Sequence, residues 1–431
     1  MALIFPEIKY YSINETFKLM FLKLPSNIFS CNMTVDVGSV DEDHEKEEMG
    51  LAHFFEHMIL KGKVNDESIT QQLDFLGTQY NASTSYYKTN YYINGDKKDY
   101  SFILEIMLQL MFEPQFPQED IDNEINVVIE EFHMGKDNHG RNFILETMKI
   151  MYEGIDEKLT IPVIGYEECI VNFTRDKLVK FYNDKYESKL KILTIIGDID
   201  EKNIMKIIKK RHPKVEPWTH TFKPLNRELT IPHYKNIPTK IHYMSLPVSQ
   251  CMVNICFRSI DDFSSWALVS SLISSVLCNG TSSRLFNLLR IKLGVTYYQN
   301  AFSMMYEGHS LYIINFGTRS ETVAKAIKHV LIELLTFPDV TDCELQKAKN
   351  MFETSILYNT ETPSNIGGSI LDYVMAEKDP ELFKNIRSRI NNIKAKHING
   401  FAKKIFRKEN MCILVGGENI NQVQVNNVLN E

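Results

Sequence analysis

Four features of this 431-residue chain recur in the same order at nearly one spacing, which makes it two copies of a single folding unit. Leu76-Gly77-Thr78-Gln79-Tyr80 returns as Leu293-Gly294-Val295-Thr296-Tyr297, 217 residues later. Phe116-Pro117 returns as Phe337-Pro338, and Glu124 as Glu344, at offsets of 221 and 220. The apolar run Ile192 to Ile196, closed by Gly197, returns as Cys412 to Val415, closed by Gly416. Each copy is about 200 residues, an ordinary domain size. Phe17 to Leu24, Val35-Asp36-Val37 and Tyr91-Tyr92-Ile93 read as strands, whereas Phe102 to Phe112 and Ile121 to His133 carry helical spacing. The expected class is α+β, with two homologous α/β-sandwich domains in tandem. Residues 1–212 form the first and 233–431 the second. Pro213, Pro217, Pro224 and Pro232 punctuate an exposed linker over 213–232.

The first copy holds His53-Phe54-Phe55-Glu56-His57. On a helix the two histidines stand one turn apart on one face. Two imidazoles so placed can grip one Zn²⁺, which takes nitrogen and oxygen ligands tetrahedrally and leaves a position for water. Glu56 lies beside the second histidine, where it can take a proton from that water. The order is the inverse of His-Glu-x-x-His and follows the inverzincin pattern. A chance histidine pair on an amphipathic helix is the competing reading, and a third ligand decides between them.

Glu124 and Glu131 are candidates for it. They are seven residues apart, two helical turns, and project from one face, whereas Glu130 points about 100° away from Glu131. One of the pair completes a His-His-Glu site, and the other holds a ligand histidine in its metal-binding tautomer. Acids on a helix usually form a solvated face, but Val127, Val128 and Ile129 between them indicate partial burial, and buried carboxylates need partners.

Gly50-Leu51-Ala52-His53-Phe54-Phe55-Glu56-His57-Met58-Ile59-Leu60-Lys61-Gly62 resembles the signature of the pitrilysin-type inverzincins, which include insulin-degrading enzyme and the mitochondrial processing peptidase. The resemblance continues through Gly77 to Thr84, Thr89 to Tyr92 and Glu124 to Glu131. It resumes at Ser282-Ser283-Arg284-Leu285 and Leu289 to Tyr297, and so covers most of the chain. It implies a zinc endopeptidase with His53, His57 and Glu131 as ligands, Glu56 as general base and Glu124 as the supporting carboxylate. It further implies that Arg290 and Tyr297 reach the substrate, Arg with a planar fork and Tyr with a donor to the developing oxyanion. Taken alone, these two read as a helix-surface ion pair and a strand-edge residue. Gln79 to Ser85 resembles the edge strand onto which a peptide adds through main-chain hydrogen bonds, with Asn81 and Ala82 at the contact. Peptides or unfolded segments are the implied substrates.

Adding the repeat offset to His57 lands near Ser275, among residues without histidine or carboxylate, so one zinc per chain is expected. The long members of the family carry four homologous domains, and this chain carries two, so a homodimer is implied, or a heterodimer with a related subunit. A catalytically silent relative acting as scaffold or processing-complex subunit is the alternative. The loop Gly280 to Arg284 lacks the spacing of a phosphate cradle.

Composition excludes other classes. A net charge of −7 without a basic stripe leaves no nucleic-acid footprint. No stretch of 18 apolar residues exists, so membrane insertion is not expected. Seven scattered cysteines without a C-x-x-C pair read as free thiols, and the N-terminus shows neither signal nor transit pattern. A cytoplasmic location is the expectation. The acidic run Asp41 to Glu48 reads as a solvated loop ahead of the zinc helix.

Overall fold

A computed structural model describes residues 7–64, 67–218, 240–259, 265–306, 310–377 and 385–430. The first half contributes strands β1 (Ile8–Ser12), β2 (Phe17–Lys23) and β3 (Ile28–Val35), then helix α1 (Leu51–Ile59). Strands β4 (Gln79–Thr84) and β5 (Thr89–Asp96) follow, then helices α2 (Tyr100–Phe112), α3 (Gln118–Asp137) and α4 (His139–Tyr152), and strands β6 (Lys191–Gly197) and β7 (Glu216–Pro217). They form one sheet in the order β4-β5-β3-β6-β2-β1-β7, parallel at β2–β6.

The second half contributes β8 (Ile241–Met244), β9 (Cys251–Arg258) and helix α5 (Ser265–Leu277), followed by β10 (Thr296–Met304) and β11 (Leu311–Thr318). Helices α6 (Val323–Thr336), α7 (Asp342–Asn359) and α8 (Pro363–Glu377) precede strand β12 (Met411–Gly416). Its sheet runs β10-β11-β9-β12-β8, parallel at β8–β12. Matching β4 to β10, β5 to β11, β3 to β9, β6 to β12 and β2 to β8 gives identical strand order, with the parallel pair in the same place. The duplication legible in the sequence is therefore a duplication of topology.

The compact units do not follow the two halves. One unit comprises residues 1–138, 152–222 and 359–380, the other 139–151, 223–358 and 381–431. Helix α4 thus packs with the second-half sheet, and its counterpart α8 with the first-half sheet. In the second unit Phe143 on α4 is fully buried against Leu246 and Leu414, and Asn254 Nδ2 donates to Thr147 Oγ1 at 2.9 Å. In the first unit, a Cβ added at Gly367 on α8 would lie 3.0 Å from Asn32 Nδ2 and 3.3 Å from Ile196 Cδ1, so the helix packs closely on the sheet at this glycine. β3 is consequently buried on both faces. Phe29, Cys31 and Met33 lie in the main core with Phe54, Phe55 and Met107, and Ser30, Asn32 and Thr34 occupy the opposite face.

The stretch read as a linker, 213–232, includes β7, which pairs with β1, and from residue 219 it lies outside the described residues. Asp36 and Val37 fall just beyond β3, where the chain turns toward α1. All seven cysteines are free, and six are buried; Cys343 is exposed. No helix among the described residues is long and apolar enough to cross a membrane.

Candidate active site

Helix α1 buries Leu51, Ala52, Phe54, Phe55, Met58 and Ile59 in the core of the first unit, which turns His53 and His57 toward α3. The site forms there. His53, His57 and Glu131 each offer a ligand atom, all within 4.8 Å of one another. Glu131 Oε2 lies 3.7 Å from His53 Nε2 and 3.5 Å from His57 Nε2. Ligand atoms around a tetrahedral zinc, with bonds of about 2.1 Å, stand about 3.4 Å apart. The donor set and its spacing therefore fit zinc. Among the described residues this is the one His/Cys/Asp/Glu cluster of that kind.

Glu124, two turns before Glu131 on α3, is 3% exposed. Its Oε1 is 2.9 Å from His57 Nδ1, and its Oε2 2.5 Å from Lys61 Nζ. Holding a proton on Nδ1 leaves Nε2 free to face the cluster. Burial disfavours the Glu124 carboxylate, but His57 and Lys61 outweigh it and keep its pKa below the usual value. Burial likewise opposes a charged His57, yet Glu124 and Glu131 push its pKa up to about 9. The surroundings thus favour a cation at this spot. Glu130 is exposed and outside the cluster.

Glu56 is buried, and burial raises its pKa above the usual carboxylate value. Thr84 Oγ1, at the end of β4, donates to Glu56 Oε2 at 2.8 Å and fixes that oxygen. Among the described residues β4 is the edge of its sheet, paired with β5 alone. Asn81 is exposed on it, and the Ala82 N–H donates to Asn81 Oδ1 at 2.9 Å.

Arg290 and Tyr297 belong to the second unit. Arg290 lies in a π-helical segment, Phe286–Lys292, and Tyr297 on β10 is 72% exposed. The Arg290 guanidinium lies over the Tyr297 ring, 4.9 Å from its centroid, and Nη1 donates to the Tyr297 carbonyl at 3.3 Å. The two residues therefore form one exposed pair.

Elsewhere in the second unit, the repeat counterpart of Glu124 has another partner. Glu344 accepts from Arg284 Nε at 2.7 Å and Nη2 at 3.0 Å, and this pairing lowers its pKa to about 2. Two serines of α5 are engaged within the fold, Ser274 with Tyr312 and Ser270 with Ser303.

Four residues escaped the sequence reading. Thr84 carries no signal in sequence, because its role depends on where an edge strand ends. Lys61 carries one in its spacing, four residues after His57, although α1 ends at Ile59 and Lys61 lies in the turn that follows. Glu42 and Glu48, read as part of a solvated loop, are 2% and 7% exposed. Glu48 Oε2 accepts from Asp43 N at 3.1 Å, so this acidic run folds inward in part to satisfy main-chain amides.

Comparison with known proteins gives concordant matches. Residues 23–159 match the family model described as insulinase (peptidase family M16), and residues 172–352 the one described as peptidase M16 inactive domain. An uncharacterized zinc protease of Rickettsia felis is 23% identical over 400 residues, covering 89% of this chain and 91% of that protein. One of Bacillus subtilis is 22% identical over 413 residues, covering 95% and 98%. The crystal structure of a protease from Helicobacter pylori superposes with a TM-score of 0.82 at 18% identity, covering 96% of this chain and 100% of that one.

Proposed function

The chain belongs to the peptidase M16 (insulinase) family, and on that premise we propose that it is a zinc-dependent endopeptidase acting on peptides or unfolded segments. The observation that carries this reading is the spacing of His53, His57 and Glu131, with Glu56 one turn from His53 on the same short helix. Those three residues would hold one zinc per chain. Zinc, when bound, supplies Lewis-acid polarisation of the scissile carbonyl and lowers the pKa of water. Glu124 orients His57. Glu56, steadied by Thr84, accepts the proton of the attacking water and passes it to the leaving amine. Its raised pKa suits both halves of that transfer.

A substrate pairs as an added strand along β4, with main-chain contacts at Asn81 and Ala82. Such pairing needs an extended chain and reads little side-chain identity, which favours peptides and unfolded segments as substrates. Arg290 and Tyr297 supply the fork and hydroxyl that hold the reacting carbonyl as negative charge develops on it. Free thiols throughout accord with a reducing compartment such as the cytoplasm. The direct test is peptide hydrolysis measured against bound zinc. A silent scaffold subunit would bind zinc and cleave nothing.

Pairing into a homodimer brings the domain count to the four of the family's long members, with Arg290 and Tyr297 of one subunit serving the zinc of the other. Mixing Glu56→Gln with Tyr297→Phe under subunit exchange should then restore part of the activity. Each mixed dimer would hold one site with both defects and one with neither. No recovery despite demonstrated exchange contradicts shared sites.

A further inference from the structure

Helix α1 is nine residues long, shorter than the roughly 12–15 residues at which isolated helices become marginally stable. Its N-cap is Gly50, in the left-handed region at φ 94°, with no side chain to accept from the first-turn amides. No other residue can stand there, since a Cβ would lie 2.3 Å from the Ile164 carbonyl oxygen. A serine or aspartate cap is thereby excluded at the start of the helix that bears both histidines. Buried amides still need acceptors.

Glu42 provides them from eight and ten residues upstream. Its Oε2 accepts from Gly50 N at 3.0 Å and its Oε1 from Ala52 N at 2.9 Å. The carboxylate is 2% exposed, so both bonds are shielded from water. Burial pushes the Glu42 carboxyl pKa up to about 8, and the bonds from Ala52 and Gly50 pull against it, so the cap rests on the two hydrogen bonds and not on a full charge at the helix end. Ala52, whose N–H this bond holds, is the residue immediately before His53, and the position of His53 relative to His57 and Glu131 sets the spacing of the ligand cluster.

We propose that Glu42 is a positioning residue for the metal site: a cap supplied from a distance that sets the start of α1 and with it the place of His53. The inference rests on the zinc reading above. It assigns Glu42 no contact with metal or substrate.

The test compares the full chain as wild type, Glu42→Gln and Glu48→Gln. Glutamine keeps the shape but replaces one acceptor oxygen with a donor, so one of the two amides loses its partner. Glu48→Gln is the control, a buried acid nearby whose side chain accepts from Asp43 N, outside the helix. Zinc affinity is read by chelator competition and local order by peptide-resolved hydrogen exchange. Glu42→Gln should weaken zinc on the order of 10-fold, the lower end of what lost support of a ligand costs. It should also speed exchange in 50–57 while leaving 191–197 unchanged, and Glu48→Gln should change affinity by less than about twofold. Unchanged affinity and exchange in Glu42→Gln overturn the proposal. So does exchange that accelerates equally across the sheet, which marks a general loss of stability. A wild type that binds no zinc overturns the zinc reading instead, and so the two failures are distinguishable.

Discussion

Glu56→Gln should retain zinc and lose peptide hydrolysis by about 10³-fold, within the usual contribution of general acid–base catalysis. That factor corresponds to about 4 kcal/mol of barrier. The residue is absent from the ligand cluster, so the metal has no reason to leave. Glutamine fills the same volume and can still accept from Thr84, so α1 and β4 should keep their positions. What it cannot do is take up a proton. The loss should therefore appear in kcat far more than in KM. Zinc content and steady-state kinetics on the same preparation check this. Near-wild-type turnover would require a different base.

Glu131→Gln should lower zinc occupancy sharply, whereas Glu130→Gln should leave it near normal. The two are neighbours in sequence and about 100° apart around α3. Glu131 Oε2 lies within 3.7 Å of both imidazole Nε2 atoms, whereas Glu130 is exposed and outside the cluster. An amide oxygen is a poorer donor to zinc than a carboxylate, and the cluster loses the anionic charge that favours a cation there. Loss of a direct ligand should exceed the roughly 10–100-fold cost of losing a supporting residue. Metal analysis of both purified variants decides it, and zinc stripped by Glu130→Gln alone would move the ligand by one residue.

Much of this was legible because periodic spacing is itself geometry. Two histidines four apart and two acids seven apart declare shared helix faces without any structure. Repeats at constant offset declare a repeated topology, and the structure adds the parallel pair at the same place in each sheet. Spacing does not, however, say what a face packs against. The packing of α4 and α8 away from the sheets of their own halves is therefore invisible in sequence. Glu42 was hidden for a related reason. An acid among Asp41, Asp43, Glu45, Glu47 and Glu48 carries no mark of burial, and its partners are main-chain amides, which have no identity in sequence. Arg290 and Tyr297 stood out only through the resemblance, because an exposed arginine over an exposed tyrosine has no periodic signature.

The most direct measurement is a zinc titration of the chelator-stripped chain in which bound metal and cleavage of an extended, internally quenched peptide are followed together. The account predicts that hydrolysis rises in proportion to bound zinc and saturates at about one equivalent per chain, as three protein ligands with one open position require. Zinc bound at one equivalent without hydrolysis, or hydrolysis that persists in the stripped protein, would contradict it.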